Sequence, residues 1–224
     1  MTAPITVLDY GLGNLFSIRR ALAHVGADVE MTAEPETVRR AAGVVLPGVG
    51  AFADGMRGLA QRGLVDALRE VVADGRPLLG ICLGMQLLFD ESEEFGRHDG
   101  LGLLQGRVVR LRDAAADATR VKIPHIGWRE LMPTAGRTWS STILEGVRPG
   151  DAMYFVHSFV PEPAAEEIRV AEMDYGSHRY CVVAERGQVI GCQFHPEKSG
   201  DAGLHLLRNF VARVHRASQP KWSH

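Results

Sequence analysis

Residues 77–86 read Pro77-Leu78-Leu79-Gly80-Ile81-Cys82-Leu83-Gly84-Met85-Gln86, and this stretch decides the fold. The apolar run is a buried strand, and the residues after Cys82 begin a helix. Between them lies a sharp turn with Cys82 at its apex and glycines on both sides. A strand-to-helix elbow holds its apex residue in a strained backbone conformation, and flanking glycines remove the side chains that would collide there. A thiol at that apex also stands at a helix N-terminus, where unpaired N–H groups and the helix dipole favour a thiolate. The competing reading is a packed structural thiol, since free cysteine is among the most buried residue types. The rest of the chain has to choose between the two.

Upstream, 5–8 is a short apolar strand, followed by the turn Asp9-Tyr10-Gly11-Leu12-Gly13-Asn14 and a helix with Leu15, Ile18, Leu22 and Val25 at helical spacing. The Gly-x-Gly of that turn is not a dinucleotide fingerprint, because Phe16 occupies the third glycine position and no Walker lysine is present. Residues 28–31 and 44–46 read as a second and third strand, the third ending in Pro47-Gly48-Val49-Gly50. Helices are expected over 52–60 and 64–73, before the elbow strand. Alternation of strand and helix argues for a parallel sheet covered on both faces, with ligands beyond the C-terminal strand ends. Pro47–Gly50 and Cys82 both lie at such ends, so they are expected neighbours in space.

Downstream the elbow helix is expected over 83–90, and then the periodicity changes. Short strands are expected at 106–111, 127–131, 152–155, 168–173, 180–185 and 189–194, with a hairpin at 185–188. Consecutive strands imply an antiparallel or mixed addition to the first sheet. A closing helix over 201–215 places Leu204, Leu207, Phe210, Val211 and Val214 on one face. The Ala/Asp-rich segment 112–120 reads as a loop, and 218–224 as a polar tail in which Trp222 makes no assignable contact. The expected fold class is α/β: a three-layer open, mostly parallel sheet with helices on both faces plus added antiparallel strands. One domain is expected over 1–217.

Composition narrows the function. The chain has 224 residues, 46% of them hydrophobic, enough for one substantial core. Its 25 basic and 27 acidic residues are interspersed and give a formal net charge of −2, which leaves no footprint for nucleic acid or a membrane surface. The first residues lack a basic region and a long apolar run, so a secretory signal is not expected. No apolar run reaches the roughly 18 residues of a membrane span. The three cysteines, Cys82, Cys181 and Cys192, are sparse and lack metal-ligand spacing. They point to a reducing, cytoplasmic compartment, with no metal or cofactor, and Cys181 and Cys192 read as packed thiols.

A second motif changes the reading of Cys82. In Gly191-Cys192-Gln193-Phe194-His195-Pro196-Glu197 an apolar strand ends at His195, and Glu197 follows two residues on. A cysteine nucleophile needs a base to take its proton and a third group to hold that base in one tautomer. Cys82, His195 and Glu197 supply those types in that order. Pro47-Gly48-Val49-Gly50 adds the third requirement: attack on an amide carbonyl makes an oxyanion, and a glycine-rich strand end can aim backbone N–H groups at it. The amide of Leu83, directly after the nucleophile, is the natural second donor. Gln86 lies one helical turn past Cys82, on the same side, as a polar contact for substrate.

The three motifs in this order resemble the class I (triad) glutamine amidotransferase domain over nearly the whole chain. The resemblance implies glutaminase activity through a Cys82 thioester. Weaker features, Asp9 to Leu15, Lys122-Ile123-Pro124-His125-Ile126-Gly127-Trp128 and Tyr154-Phe155-Val156-His157-Ser158, are similar to the glutaminase subunits of imidazole glycerol phosphate synthase in histidine biosynthesis. That similarity implies a (β/α)₈ cyclase partner in a heterodimer, which receives ammonia through an internal tunnel. The products would be imidazole glycerol phosphate and aminoimidazole carboxamide ribotide. It places glutamine recognition at Gly50, Gln86, His157 and Ser158, and the oxyanion strand at Val49 and Gly50. It also implies partner contacts at Pro124, His125, Trp128 and Lys198. From the residues alone, His157 is equally a strand-end histidine with its hydrogen bonds satisfied. The alternative acceptors are those of anthranilate, aminodeoxychorismate or pyridoxal phosphate synthase. A third reading, a non-catalytic module of the same fold, needs a broken triad, and all three residues are present.

Overall fold

The computed structural model describes residues 4–112 and 121–219. Its centre is an eight-stranded sheet in the order β2-β1-β3-β4-β14-β13-β12-β9. β1 (Ile5–Leu8), β2 (Val29–Thr32), β3 (Gly43–Gly48), β4 (Leu78–Cys82) and β14 (Val189–Cys192) run parallel. β13 (His178–Arg186), β12 (Arg169–Tyr175) and β9 (Met132–Pro133) continue the sheet antiparallel.

The uninterrupted apolar runs of β1, β3 and β4 are explained by burial on both faces. Val45, Leu79 and Ile81 point into one core, shared with α1 (Leu15–His24) and α6 (Gly200–Ala217). Val44, Leu46 and Leu78 point into the other, shared with helices α3 (Phe52–Gln61), α4 (Leu64–Ala73) and α5 (Leu83–Leu87). That is the period-2 alternation of a strand between two helical layers. α1 starts where Asn14 accepts a hydrogen bond from the Ser17 N–H at 3.3 Å. α2 (Pro35–Arg40), which the sequence reading passed over, begins on a proline, whose fixed φ suits the first helical position.

Two expectations need correction. The elbow helix stops at Leu87 instead of running to residue 90, because Phe89–Ser92 form β5. Leu88 and Phe89 are fully buried, and a short apolar run does not reveal whether it is buried as helix or as strand. The later strands do not all join the first sheet. β7 (Leu104–Arg110) lies in a separate four-stranded sheet, β11-β7-β5-β6, with β6 (His98–Asp99) and β11 (Phe159–Pro163). β11, not among the expected strands, contains two prolines; it lies at the edge of its sheet, where a missing N–H is tolerated. β8 (His125–Glu130) and β10 (Ala152–His157) form their own antiparallel pair. Of the expected loop 112–120, residues 113–120 lie outside the described residues, as do residues 220–224 of the expected tail 218–224, with Trp222. No helix among the described residues is long and apolar enough to cross a membrane.

Candidate active site

The site is built at the C-terminal ends of neighbouring parallel strands. In the register of the sheet Gly48 of β3 lies beside Cys82 of β4, and Cys192 of β14 lies beside Ile81. The chain leaving β3 therefore carries Val49 and Gly50 to one side of Cys82. The chain leaving β14 carries Gln193 and His195 to the other. The three motifs, far apart in sequence, converge because their strands are adjacent.

Cys82 has φ +55 and ψ −111 and immediately precedes α5. A non-glycine residue there stores roughly 1–3 kcal/mol of strain, which the surroundings must hold. They do so by crowding. A Cβ on Gly80 would come within 2.7 Å of the Gly84 carbonyl oxygen, and one on Gly84 would overlap the Leu46 carbonyl. The glycines let the first turn of α5 lie directly on β3 and β4. Cys82 itself is 6% exposed.

His195 and Glu197 are joined by a 2.8 Å contact between Nδ1 and Oε1, with both side chains buried. Glu197 lies in a single 3₁₀ turn, Pro196–Lys198. The turn is anchored to β10: His195 N–H donates to the Tyr154 carbonyl at 2.9 Å, and the Ser199 hydroxyl donates to the His195 carbonyl at 2.6 Å. Burial disfavours a charged imidazole, but the Cys82 and Glu197 side chains outweigh it, and the His195 pKa is pushed up to about 9. Nε2 is buried without a hydrogen-bond partner among the described residues. With Nδ1 held by Glu197, Nε2 is the nitrogen left for the sulfur and for a leaving group. A protonated imidazole beside a sulfur is the form that donates a proton to a departing amine.

A cavity of about 300 Å³ opens beside Cys82. Of the expected residues, Val49, Gly50, Leu83, Gln86, His157, Ser158 and Pro124 line it. Gly50 has φ +109, and Val49 is 41% exposed, so this strand end projects from the packed sheet. Gln86 is almost wholly buried and donates to the Phe159 carbonyl and to Gln193 Oε1, both at 3.0 Å.

The histidines differ from expectation. His157 Nδ1 lies 2.9 Å from the Phe159 carbonyl, which only accepts, so Nδ1 carries the proton. Nε2 then accepts from His125 Nδ1 at 3.3 Å. Both nitrogens of His157 are engaged within the protein, so it offers the cavity a ring and no free polar atom. His125, expected at a partner face, is 2% exposed. It is the inward-facing first residue of β8, packed against Tyr175 and Phe155 with ring centroids 4.2 and 5.4 Å away. Burial lowers both histidines' pKa values, to about 3 for His157 and about 4 for His125. Trp128 and Lys198, by contrast, are exposed and meet around Tyr154: the Trp128 ring centroid is 5.9 Å from that of Tyr154, and Lys198 Nζ is 5.8 Å from it.

Three residues at the site went unnoticed in the sequence. Glu94 lines the cavity and accepts from the Phe52 N–H at 2.6 Å. Tyr10 is buried with its hydroxyl against Gly48; burial first, then Cys82, push its pKa up. Gln193 is wholly buried between Gln86 and Cys82. Tyr10 lies in the turn Asp9 to Asn14 and Gln193 in the segment Gly191 to Glu197, and no local pattern singles out their side chains. Among the described residues no group of three or more His, Cys, Asp or Glu could hold a metal ion.

Comparison with known proteins identifies the family. Residues 6–214 match the family described as "Glutamine amidotransferase class-I". The chain is 43% identical over 208 residues to "Imidazole glycerol phosphate synthase subunit HisH 1" of Legionella pneumophila (strain Lens), covering 92% of this chain and 98% of that one. It is 48% identical over 210 residues to "Imidazole glycerol phosphate synthase subunit HisH" of Geobacillus thermodenitrificans (strain NG80-2), covering 94% and 96%. Among solved structures, a crystal structure of a glutamine amidotransferase matches with TM-score 0.69 at 22% identity, covering 94% of this chain and 98% of that one. PurLQS from Thermotoga maritima matches with TM-score 0.70 at 18% identity, covering 95% and 99%, which speaks to the fold alone. This chain belongs to the class I glutamine amidotransferase family, and within it to the group of the HisH subunits.

Proposed function

We propose that the chain is the glutaminase subunit of imidazole glycerol phosphate synthase and that residues 1–217 act as one domain in the cytoplasm. The observation that carries the chemistry is the 2.8 Å His195–Glu197 pair standing beside a cysteine strained at an elbow, on the wall of a cavity. The acceptor pathway rests on the HisH relatives.

In this reading the Cys82 sulfur attacks the carboxamide carbon of glutamine. Negative charge on the carbonyl oxygen is met by the N–H of Leu83, at the start of α5, and by N–H groups of Val49 and Gly50. Losing one such donor typically costs about 2.7–4 kcal/mol of transition-state stabilisation. The C–N bond breaks, and His195 gives its proton to the departing nitrogen as ammonia. Water then attacks the thioester and loses a proton to His195, and glutamate leaves as the sulfur is released. Gln86 and Ser158 hold the substrate. Glu94, the carboxylate on the cavity wall, is the counter-charge for an α-ammonium group.

The ammonia passes to a (β/α)₈ cyclase subunit, which makes imidazole glycerol phosphate and aminoimidazole carboxamide ribotide. Trp128 and Lys198 form an exposed cluster available to that partner, with Pro124 between the cavity and the strand that bears Trp128. The test is reconstitution with a cyclase subunit and its nucleotide substrate. Glutamine hydrolysis by the isolated chain should be weak and should rise on adding both. Cys82→Ala should abolish glutamine-dependent synthesis and leave ammonia-dependent synthesis intact. Surviving glutamine-dependent product would remove Cys82 from the role of nucleophile, and full turnover by the lone chain would remove the partner from the scheme.

A further inference from the structure

Gln193 is a wholly buried polar side chain that the triad does not use. Its Oε1 accepts from Gln86 Nε2 at 3.0 Å, and its Nε2 donates to the Cys82 sulfur at 3.7 Å. Gln86 Nε2 also donates to the Phe159 carbonyl at 3.0 Å.

One atom sets the direction of every amide in this chain. A backbone carbonyl only accepts, so the end of Gln86 that faces Phe159 is its NH₂ group. Both hydrogens of that group are then committed, one to Phe159 and one to Gln193. The end of Gln193 facing Gln86 must be its oxygen, since reversing it would set two NH₂ groups against each other. The NH₂ of Gln193 is thereby turned to the sulfur. Gln86 lines the cavity with both its hydrogens spent on the protein, so the polar atom it has left for a ligand is Oε1, an acceptor.

We infer that Gln193 is a positioning residue for glutamine hydrolysis: it takes up the second N–H of Gln86, which together with the Phe159 carbonyl leaves Gln86 only an acceptor for the N–H-bearing groups of the substrate, and it steadies the Cys82 sulfur with an N–H. The inference rests on Cys82 being the nucleophile. A substrate approaching this wall gains a hydrogen bond only if it brings a donor. The N–H···S contact strengthens as the sulfur becomes charged, because hydrogen bonds to ionised groups are roughly twice as strong as neutral ones. Gln193 thus couples the reading of the substrate to the state of the sulfur.

Acivicin, an electrophilic glutamine analogue, serves as a covalent probe of Cys82 and separates the two roles in the chain reconstituted with the cyclase subunit and its nucleotide substrate. Its saturation constant KI reports recognition, its limiting rate kinact reports the sulfur, and peptide mapping locates the label. In Gln193→Glu a side-chain oxygen still accepts from Gln86 while the N–H to sulfur is lost. KI should stay within about threefold of wild type and kinact should fall about tenfold, the size of one hydrogen bond to a charged group. In Gln193→Met both partners are lost, so KI should rise about tenfold as well. Gln86→Met should raise KI alone, and against it the Glu variant carries the test even if Gln193→Met does not fold. Equal KI values for the Glu and Met variants, a raised KI for Gln193→Glu, or a wild-type kinact in either Gln193 variant, overturns the inference. Wild-type chain that takes no label on Cys82 overturns the nucleophile reading, and this one with it.

Discussion

The elbow at Cys82 and the strand end at Pro47–Gly50 face each other across one cavity, yet they are held in opposite ways. The elbow is fixed by lack of room: a Cβ on Gly80 would meet the Gly84 backbone at 2.7 Å, and one on Gly84 would overlap Leu46. At Gly50 the nearest atom to an added Cβ is 3.9 Å away, on the Leu12 side chain, and Val49 is 41% exposed. One half of the site is positioned by close packing. The other is positioned by its own backbone conformation, φ +109 at Gly50, with open space around it. The proposed nucleophile is thus built into the core, while the proposed oxyanion donors stand where a ligand or a partner can reach them.

That contrast can be broken most forcefully at Gly84. Gly84→Ala drives a methyl group into backbone on β3, and neither element can yield without disturbing the central sheet. We expect a loss of at least about 3 kcal/mol of stability, read by urea denaturation, with activity lost alongside. A variant with wild-type stability would show that the elbow is not held by packing. Gly50→Ala should separate the two halves. The chain keeps its fold, with a cost of roughly 1–2 kcal/mol for a side chain at positive φ. Glutamine hydrolysis in the reconstituted complex falls about 10²-fold as a donor is misaligned. Equal losses of stability at Gly84 and Gly50 would erase the distinction.

Titration sharpens the comparison with a smaller effect. His157 and His125 have native pKa values of about 3 and 4, below their ordinary 6.5. The unfolded chain therefore binds protons that the native chain refuses, and stability falls as pH drops below 6.5. His195 runs the other way. Its native pKa of about 9 exceeds 6.5, so its contribution is full below 6.5 and is lost as pH rises through about 9. Thermal unfolding across pH should give a plateau with two flanks, each kcal/mol lost lowering Tm by roughly 2–4 °C. His157→Gln should flatten the acid flank and leave the alkaline one, and an unchanged acid flank would count against a neutral buried pair. The smallest effect is expected at Val49→Ala, within about 0.5 kcal/mol of wild-type stability, since Val49 is 41% exposed and stands outside both hydrophobic cores.

What could be read from sequence follows the same division. The elbow announced itself because close backbone packing writes glycines next to the residue it serves. His195 and Glu197 were legible because a base and its orienter stand two residues apart, at a strand end. The parallel sheet covered on both faces followed from the alternation of apolar runs with helices. Features that depend on who meets whom across long separations were not legible. Nothing beside Gln193 in the chain says that it touches Gln86, 107 residues away. His125 lies in a stretch that alternates in and out, and only its pairing with β10 decides that it faces inward while Trp128 faces solvent. Glu94 follows β5, whose Phe89-Asp90-Glu91-Ser92 carries a single apolar residue and reads in sequence as the end of the elbow helix.

The Phe159 carbonyl has one further consequence. It accepts from both Gln86 and His157, which occupies its two lone pairs. Both ring nitrogens of His157 are likewise paired, and with a pKa of about 3 the ring carries no spare proton at neutral pH. Ammonia is a small base that adheres wherever it finds an acceptor for its hydrogens or an acid to protonate it. The Phe159 carbonyl and the His157 ring supply neither, so of the three side by side on this wall only Gln86 Oε1 is left to hold a nascent ammonia molecule, and none of them is an acid that would charge it.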